Sequence, residues 1–190
     1  MPVSDHQIFS ITGASHWHCP GDLMHSGDLG VVQYLTASVL DELCEEWPGP
    51  LTAQGKADHL WRAIRSQYAE KRTSNRLSIL KKEMWERRND VPCLRAKAAE
   101  SRALLEVLRD MCLQLHDRSD RDEHRARCMI AICEVYAIFT EGDIFLKEAE
   151  SRAALCHYET FLLQYQTLLL KMSLYLGARR YGFYFKLNKL

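Results

Sequence analysis

The sequence predicts a mainly α protein, an irregular bundle of about five to six helices with one or two short strands near the N-terminus. Three observations point there. The five prolines stand at 2, 20, 48, 50 and 92, so nothing after 92 breaks a helix by proline chemistry. Apolar residues of the C-terminal half recur every three or four positions, the spacing of one helix face. Strand signals are confined to residues 7–12, with Ile8, Phe9 and Ile11, and to residues 16–19, both too short for a sheet of their own.

In chain order, residues 31–47 form a helix stopped by W-P-G-P, and residues 56–70 another with Leu60, Trp61, Ile64 and Tyr68 inward. Residues 74–86 are expected to form a further helix capped by Ser74. From 94 to 115 the stripe Leu104, Leu105, Leu108, Met111, Cys112 and Leu115 predicts a long helix, ended by H-D-R-S-D-R-D-E-H. Residues 123–140 carry the stripe Met129, Ile132, Cys133, Tyr136 and Phe139. Glu141, Gly142 and Asp143 turn the chain into a last helix over 145–172, through Ala154, Tyr158, Phe161, Tyr165, Leu168 and Met172. Each stripe needs cover from the others. Residues 1–190 are expected to make a single domain, with 1–28 a strand and loop segment and 29–190 the helical region.

A composition of 47% hydrophobic and 26% charged residues is a normal globular balance. No run of 18 apolar residues is present, which argues against a membrane span, and no basic region followed by an apolar stretch opens the chain as a secretory signal would. Seven cysteines without a C-x-x-C pair suit an intracellular, reducing location with thiols as small buried groups. The closest approach to paired zinc ligands is His16, His18, Cys19 and His25.

The formal net charge is +0, but the charge is segregated. Residues 1–55 hold seven acids (Asp5, Asp22, Asp28, Asp41, Glu42, Glu45 and Glu46) and no Lys or Arg. Residues 56–127 hold 18 Lys and Arg against 12 Asp and Glu, and residues 128–190 hold 7 against 6. Two explanations stand: the acidic and basic parts neutralise each other within one fold, or they face different partners. The second places DNA near Lys71, Arg72, Arg76, Lys81, Lys82, Arg87 and Arg88, with Trp61, Tyr68 and Trp85 as a stacking face.

The stretch P-G-D-L-M-H at 20–25, followed by L-G-V-V at 29–32, carries the most information. Together with H-Q-I-F near the start, L-R-A-K-A-A-E-S-R at 94–102, C-E-V-Y at 133–136 and H-Y-E-x-F-L-L-x-Y-Q-T-L at 157–168, it resembles eukaryotic DDE-type transposases of the CACTA-like kind, whose core is ribonuclease-H-like. The resemblance implies that Asp22 is the second metal-binding acid, that His25 positions that acid or a phosphate, and that Mg²⁺ is the cofactor. Strand transfer of this kind is an in-line displacement at phosphorus assisted by two divalent ions, which demand convergent carboxylates. Glu100 and Glu134 are further candidate acids within the resembling segments.

The chain departs from that pattern in three ways. It has too few strand signals for such a core, no acid far enough upstream of Asp22 to be the first, and Asn188 where similar sequences carry a His-containing segment. The expectation is therefore a transposase-derived fragment without strand-transfer activity that retains DNA binding and a nuclear location. Self-association through apolar surface left uncovered is a further expectation. The alternative is a helical protein-interaction domain with no nucleic-acid role. A thiol nucleophile at Cys156 is disfavoured, because the neighbouring His157 points about 100° away on a helix. No Gly-rich phosphate loop, G-x-S-x-G or H-E-x-x-H is present.

Overall fold

A computed structural model describes residues 23–46, 52–85, 92–143 and 146–176. Among them the protein is mainly helical and has no strand. The expected strands at 7–12 and 16–19 lie outside the described residues, as does the W-P-G-P stop. A π-type helix over Leu23–Val32 runs straight into α1 (Gln33–Glu46). The remaining helices are α2 (Ala53–Glu70), α3 (Ala98–Leu113), α4 (Asp120–Glu141) and α5 (Glu148–Leu176). Helix thus begins at Leu23, within the stretch expected to be strand and loop.

Local chemistry sets the helix ends. The Thr52 hydroxyl accepts from the Gly55 amide at 3.2 Å and opens α2. Glu100 and Glu150 each sit at the third position of a helix, where their carboxylates accept from the Lys97 amide at 3.0 Å and the Lys147 amide at 2.7 Å. Ser119 caps α4 by accepting from the Asp122 amide at 3.2 Å. The acid-rich stretch expected only to end α3 therefore starts α4, with Asp120, Asp122 and Glu123 against the positive end of its dipole. Gly142 ends α4, its amide donating to the Ile138 carbonyl at 2.9 Å. A Cβ at that position would lie 2.6 Å from the same oxygen, so the turn requires glycine.

The expected helix over 74–86 does not form. Arg72 closes α2 in the left-handed region at φ 50°, with the Thr73 amide returning to the Tyr68 carbonyl at 3.1 Å. Asn75 is also left-handed at φ 52°, so Ser74 lies between two residues that stop helix propagation. Beyond them the chain is irregular apart from a single turn over Lys82–Met84. It buries Leu77, Leu80 and Trp85.

Helices α4 and α5 pack along each other, and α3 packs on α4. α1 and the π-type segment lie against α3, and α2 spans α1 and α3. Residues 92–97 strap the start of α1: the Leu94 amide donates to the Gln33 carbonyl at 3.1 Å, and the Gln33 side chain donates to the Ala96 carbonyl at 2.8 Å. The core contains Leu35, Leu43, Ile64, Leu104, Met111 and Phe161, all fully buried. Of the expected α4 stripe, Met129, Ile132, Cys133 and Tyr136 are buried and Phe139 is exposed.

Candidate functional site

Three of the sequence segments that carry the transposase resemblance meet at one point. Asp28, between D-L-M-H and L-G-V-V, is completely buried in the π-type segment. Arg102, the last residue of L-R-A-K-A-A-E-S-R, reaches it from α3: its Nε donates to Oδ1 at 3.3 Å and its Nη2 to Oδ2. Tyr136, the last residue of C-E-V-Y, comes from α4, and the Arg102 guanidinium lies 5.3 Å from its ring centroid. The hydrogen bond to Asp28 holds Arg102 above its usual pKa. Burial, reinforced by the Asp28 carboxylate, raises the Tyr136 phenol.

This cluster edges a cleft of about 720 Å³ between the 71–75 turn, α3 and α4. Lys71, Arg72, Arg102 and Arg109 line it, and so do Asp28, Glu106, Glu134 and Glu141. Lys71 Nζ is 2.5 Å from Asp110 Oδ2, and Arg109 Nε donates to Asp110 Oδ1 at 2.8 Å. Burial pushes the Asp110 carboxyl upward, but these two cations prevail and lower it.

A second ionic cluster joins α1 to α4. Arg125 is completely buried and donates to Glu42 at 2.8 Å, to Glu46 at 2.7 Å and to Asp122 at 2.6 Å, while Arg121 pairs with Glu42 at 2.6 Å. Burial opposes the charge on Arg125, yet Glu46 and Glu42 hold its pKa above the usual value. Burial, helped by Glu42 and Glu46 and opposed by Arg125, pushes the neighbouring Cys112 thiol up to about 12, an inert environment for a cysteine.

These contacts connect the two halves of the segregated charge. Of the seven acids in residues 1–55, Asp28, Glu42, Glu45 and Glu46 pair with Arg102, Arg121, Arg125 and Lys56, all drawn from residues 56–127. Arg62, Arg65, Arg72, Arg76 and Lys81 are exposed and form no ion pair with any described residue. Lys71, by contrast, is tied to Asp110, and Lys82 is partly buried. Arg87 and Arg88 lie outside the described residues.

Asp22, His16, His18 and Cys19 also lie outside the described residues, and His25 falls in the π-type segment. Glu100 holds the start of α3, where its carboxylate is already engaged, 34 positions before Glu134 of C-E-V-Y. Among the described residues no group of three His, Cys, Asp or Glu side chains could hold a metal ion, so no step through Mg²⁺ is derived from them. Tyr68 and Trp85 are buried and Trp61 is half-buried, stacked edge-on against Tyr68 with centroids 6.3 Å apart. Tyr68 and Trp85 therefore belong to the core and offer no face to a base, which corrects the expected stacking surface. Among the described residues no helix is long and apolar enough to cross a membrane. The meeting of Asp28, Arg102 and Tyr136 was not anticipated; the only signal for it was that each closes or adjoins a singled-out segment. No family model, curated protein or solved structure matches the chain.

Proposed function

We propose that the chain is a helical, DNA-contacting module of the transposase kind, without strand-transfer activity of its own and acting in the nucleus. One observation carries this reading: after the acids of residues 1–55 have taken up Lys56, Arg102, Arg121 and Arg125, the cations Arg62, Arg65, Arg72, Arg76 and Lys81 stay exposed along α2 and the segment after it. Cations without a carboxylate partner are the ones available to phosphate.

The test is binding of a short duplex across a range of salt, with and without Mg²⁺, while watching for cleavage. Affinity is expected to fall with salt by roughly 0.9 in the log–log slope per phosphate contact. Replacing Arg62, Arg65, Arg76 and Lys81 by Gln together is expected to remove most of that slope at unchanged helix content. Absent or salt-independent binding would refute the reading, and Mg²⁺-dependent cleavage lost on Asp22→Asn would restore an active nuclease.

A second reading, a helical protein-interaction domain, is favoured by the leucines left at the surface of α5. It expects association that ignores the four Gln substitutions.

A further inference from the structure

We propose that Ser74 is a phosphorylation site whose phosphate settles into the cleft beside its own turn, on Lys71, Arg72 and Arg109. The site stands on the fold alone, and only its consequence for duplex binding rests on the DNA reading.

Ser74 is exposed and lies outside any helix, between α2 and the irregular segment that follows it. Its hydroxyl makes no hydrogen bond to a described residue. Lys71, Arg72, Asn75 and Arg76 around it are exposed as well, so a kinase can draw this stretch into its groove without uncovering the core. Lys71 and Arg72 stand three and two positions before the serine, and Arg76 two after it. That pattern complements a serine kinase whose substrate groove is acidic. The other serines exposed among the described residues are placed differently. Ser66 and Ser151 lie within α2 and α5, Ser119 is occupied in capping α4, and Ser78 stands between Leu77 and Leu80, both buried.

In the transfer itself, the Ser74 hydroxyl oxygen attacks the γ-phosphorus of ATP held by the kinase. The new O–P bond forms as the bond to the departing ADP breaks, and the hydroxyl proton passes to the carboxylate base of the kinase.

The cleft then receives the product. Ser74, Lys71, Arg72 and Arg109 all line it. Asp110 draws Lys71 and Arg109 together, and it engages Arg109 only through Nε. Both Nη groups of Arg109 are left without a hydrogen bond to a described residue, and a guanidinium fork matches phosphate oxygens two at a time. Arg72 brings a second guanidinium that forms no ion pair with any described residue. Glu106, Glu134 and Glu141 line the cleft from α3 and α4, and the negative end of the α2 dipole faces the turn. Both oppose an anion, so a phosphate of roughly −1.5 to −2 charge depends on these three cations. On the DNA reading, the same phosphate withdraws Arg72 and Arg76 from a duplex.

The experiment incubates the full chain with Mg²⁺, ATP and a serine kinase selective for basic residues before the acceptor. The mass is expected to rise by about 80 Da, one phosphoryl group, in the parent and in Ser78→Ala, but not in Ser74→Ala. No incorporation, or incorporation that survives Ser74→Ala, overturns the site. Phosphorus NMR of the modified chain across pH then reads the docking. The second pKa of the phosphate is expected to fall below the value of about 6 that it has in water, and to return towards it in Arg72→Gln and in Arg109→Gln. A parent value of about 6 overturns the docking, and Arg72→Gln keeps this arm decisive if loss of Arg109 disturbs Asp110. Finally, phosphorylation is expected to lower the salt slope of duplex binding by about 1.8, two phosphate contacts. A DNA-binding chain whose slope ignores phosphorylation overturns the switch. A chain that binds no DNA in either form refutes the DNA reading, while the mass and phosphorus measurements still decide the site and its docking.

Discussion

Arg102 on α3 closes both of its hydrogen bonds on Asp28, a carboxylate 74 positions earlier in the chain that is completely buried. The pair fastens the segment that follows D-L-M-H to the helical region, with the Tyr136 ring beneath the guanidinium. Removing one member leaves a buried charge unpaired, which costs far more than the pair is worth in net stability. The Arg102 side chain is 42% exposed, so the loss lies at the lower end. Arg102→Ala is expected to destabilise the fold by about 2–3 kcal/mol. In a double-mutant cycle with Asp28→Ala, a coupling of at least about 1 kcal/mol is expected. Additive losses in urea unfolding would show that the two residues act independently.

Arg125 has a different position, because it serves three carboxylates from inside the core. Glu42 and Asp122 are each 6% exposed, and neither has water to fall back on. Arg125→Met is expected to cost about 3–5 kcal/mol. Arg125→Lys is expected to recover only part of that, since one ammonium cannot reproduce a planar fork shared by Glu42, Glu46 and Asp122. Denaturant midpoints for the two variants decide it, and a full rescue by Lys would mean that charge alone matters here.

The helices were legible where two conditions held together: no proline to interrupt them and an apolar stripe at one spacing. That is why α3, α4 and α5 follow the pattern read along residues 94–172. The stretch 74–86 misled because Ser74 has the chemistry of a cap, while the residues that decide the conformation, Arg72 and Asn75, are non-glycine residues in the left-handed region, which composition does not announce. The Asp-rich run around Ser119 misled for the opposite reason: acids that suit a loop equally suit a helix start. Asp28 was visible only as one of seven acids. Its pairing with Arg102 is a tertiary fact, and neither residue carries a local sign of it. The charge segregation did foreshadow such contacts, and four of those acids meet cations from the second segment.

Asp110 supplies a pH dependence whose direction is fixed by its neighbours. Lys71 and Arg109 lower its pKa below the ordinary 3.8, so the folded protein keeps this carboxylate charged at pH values where the unfolded chain has begun to protonate it. Its contribution is complete above 3.8 and drains away as the pH falls through the lower, folded value. Asp110→Asn is therefore expected to be less stable than the parent at pH 6, with the gap between their urea midpoints closing below pH 3.8. A gap that stays constant from pH 6 to pH 2 would show that the loss is steric.

Arg72 separates stability from binding in one substitution. It occupies the position after α2 where a left-handed residue closes the helix, a place that suits glycine because a Cβ crowds the backbone there. Its side chain is exposed and forms no ion pair with any described residue, so little is lost from the fold when it is removed. Arg72→Gly is expected to raise stability by about 0.5–1 kcal/mol, the strain relieved being partly offset by the greater freedom of glycine in the unfolded chain. On the DNA reading the same change is expected to lower the salt slope by about 0.9, one phosphate contact. The two measurements, thermal unfolding and duplex affinity across salt, thus move in opposite directions. A variant that is more stable and binds DNA with the parental slope would remove Arg72 from the binding surface while leaving the account of the helix end in place.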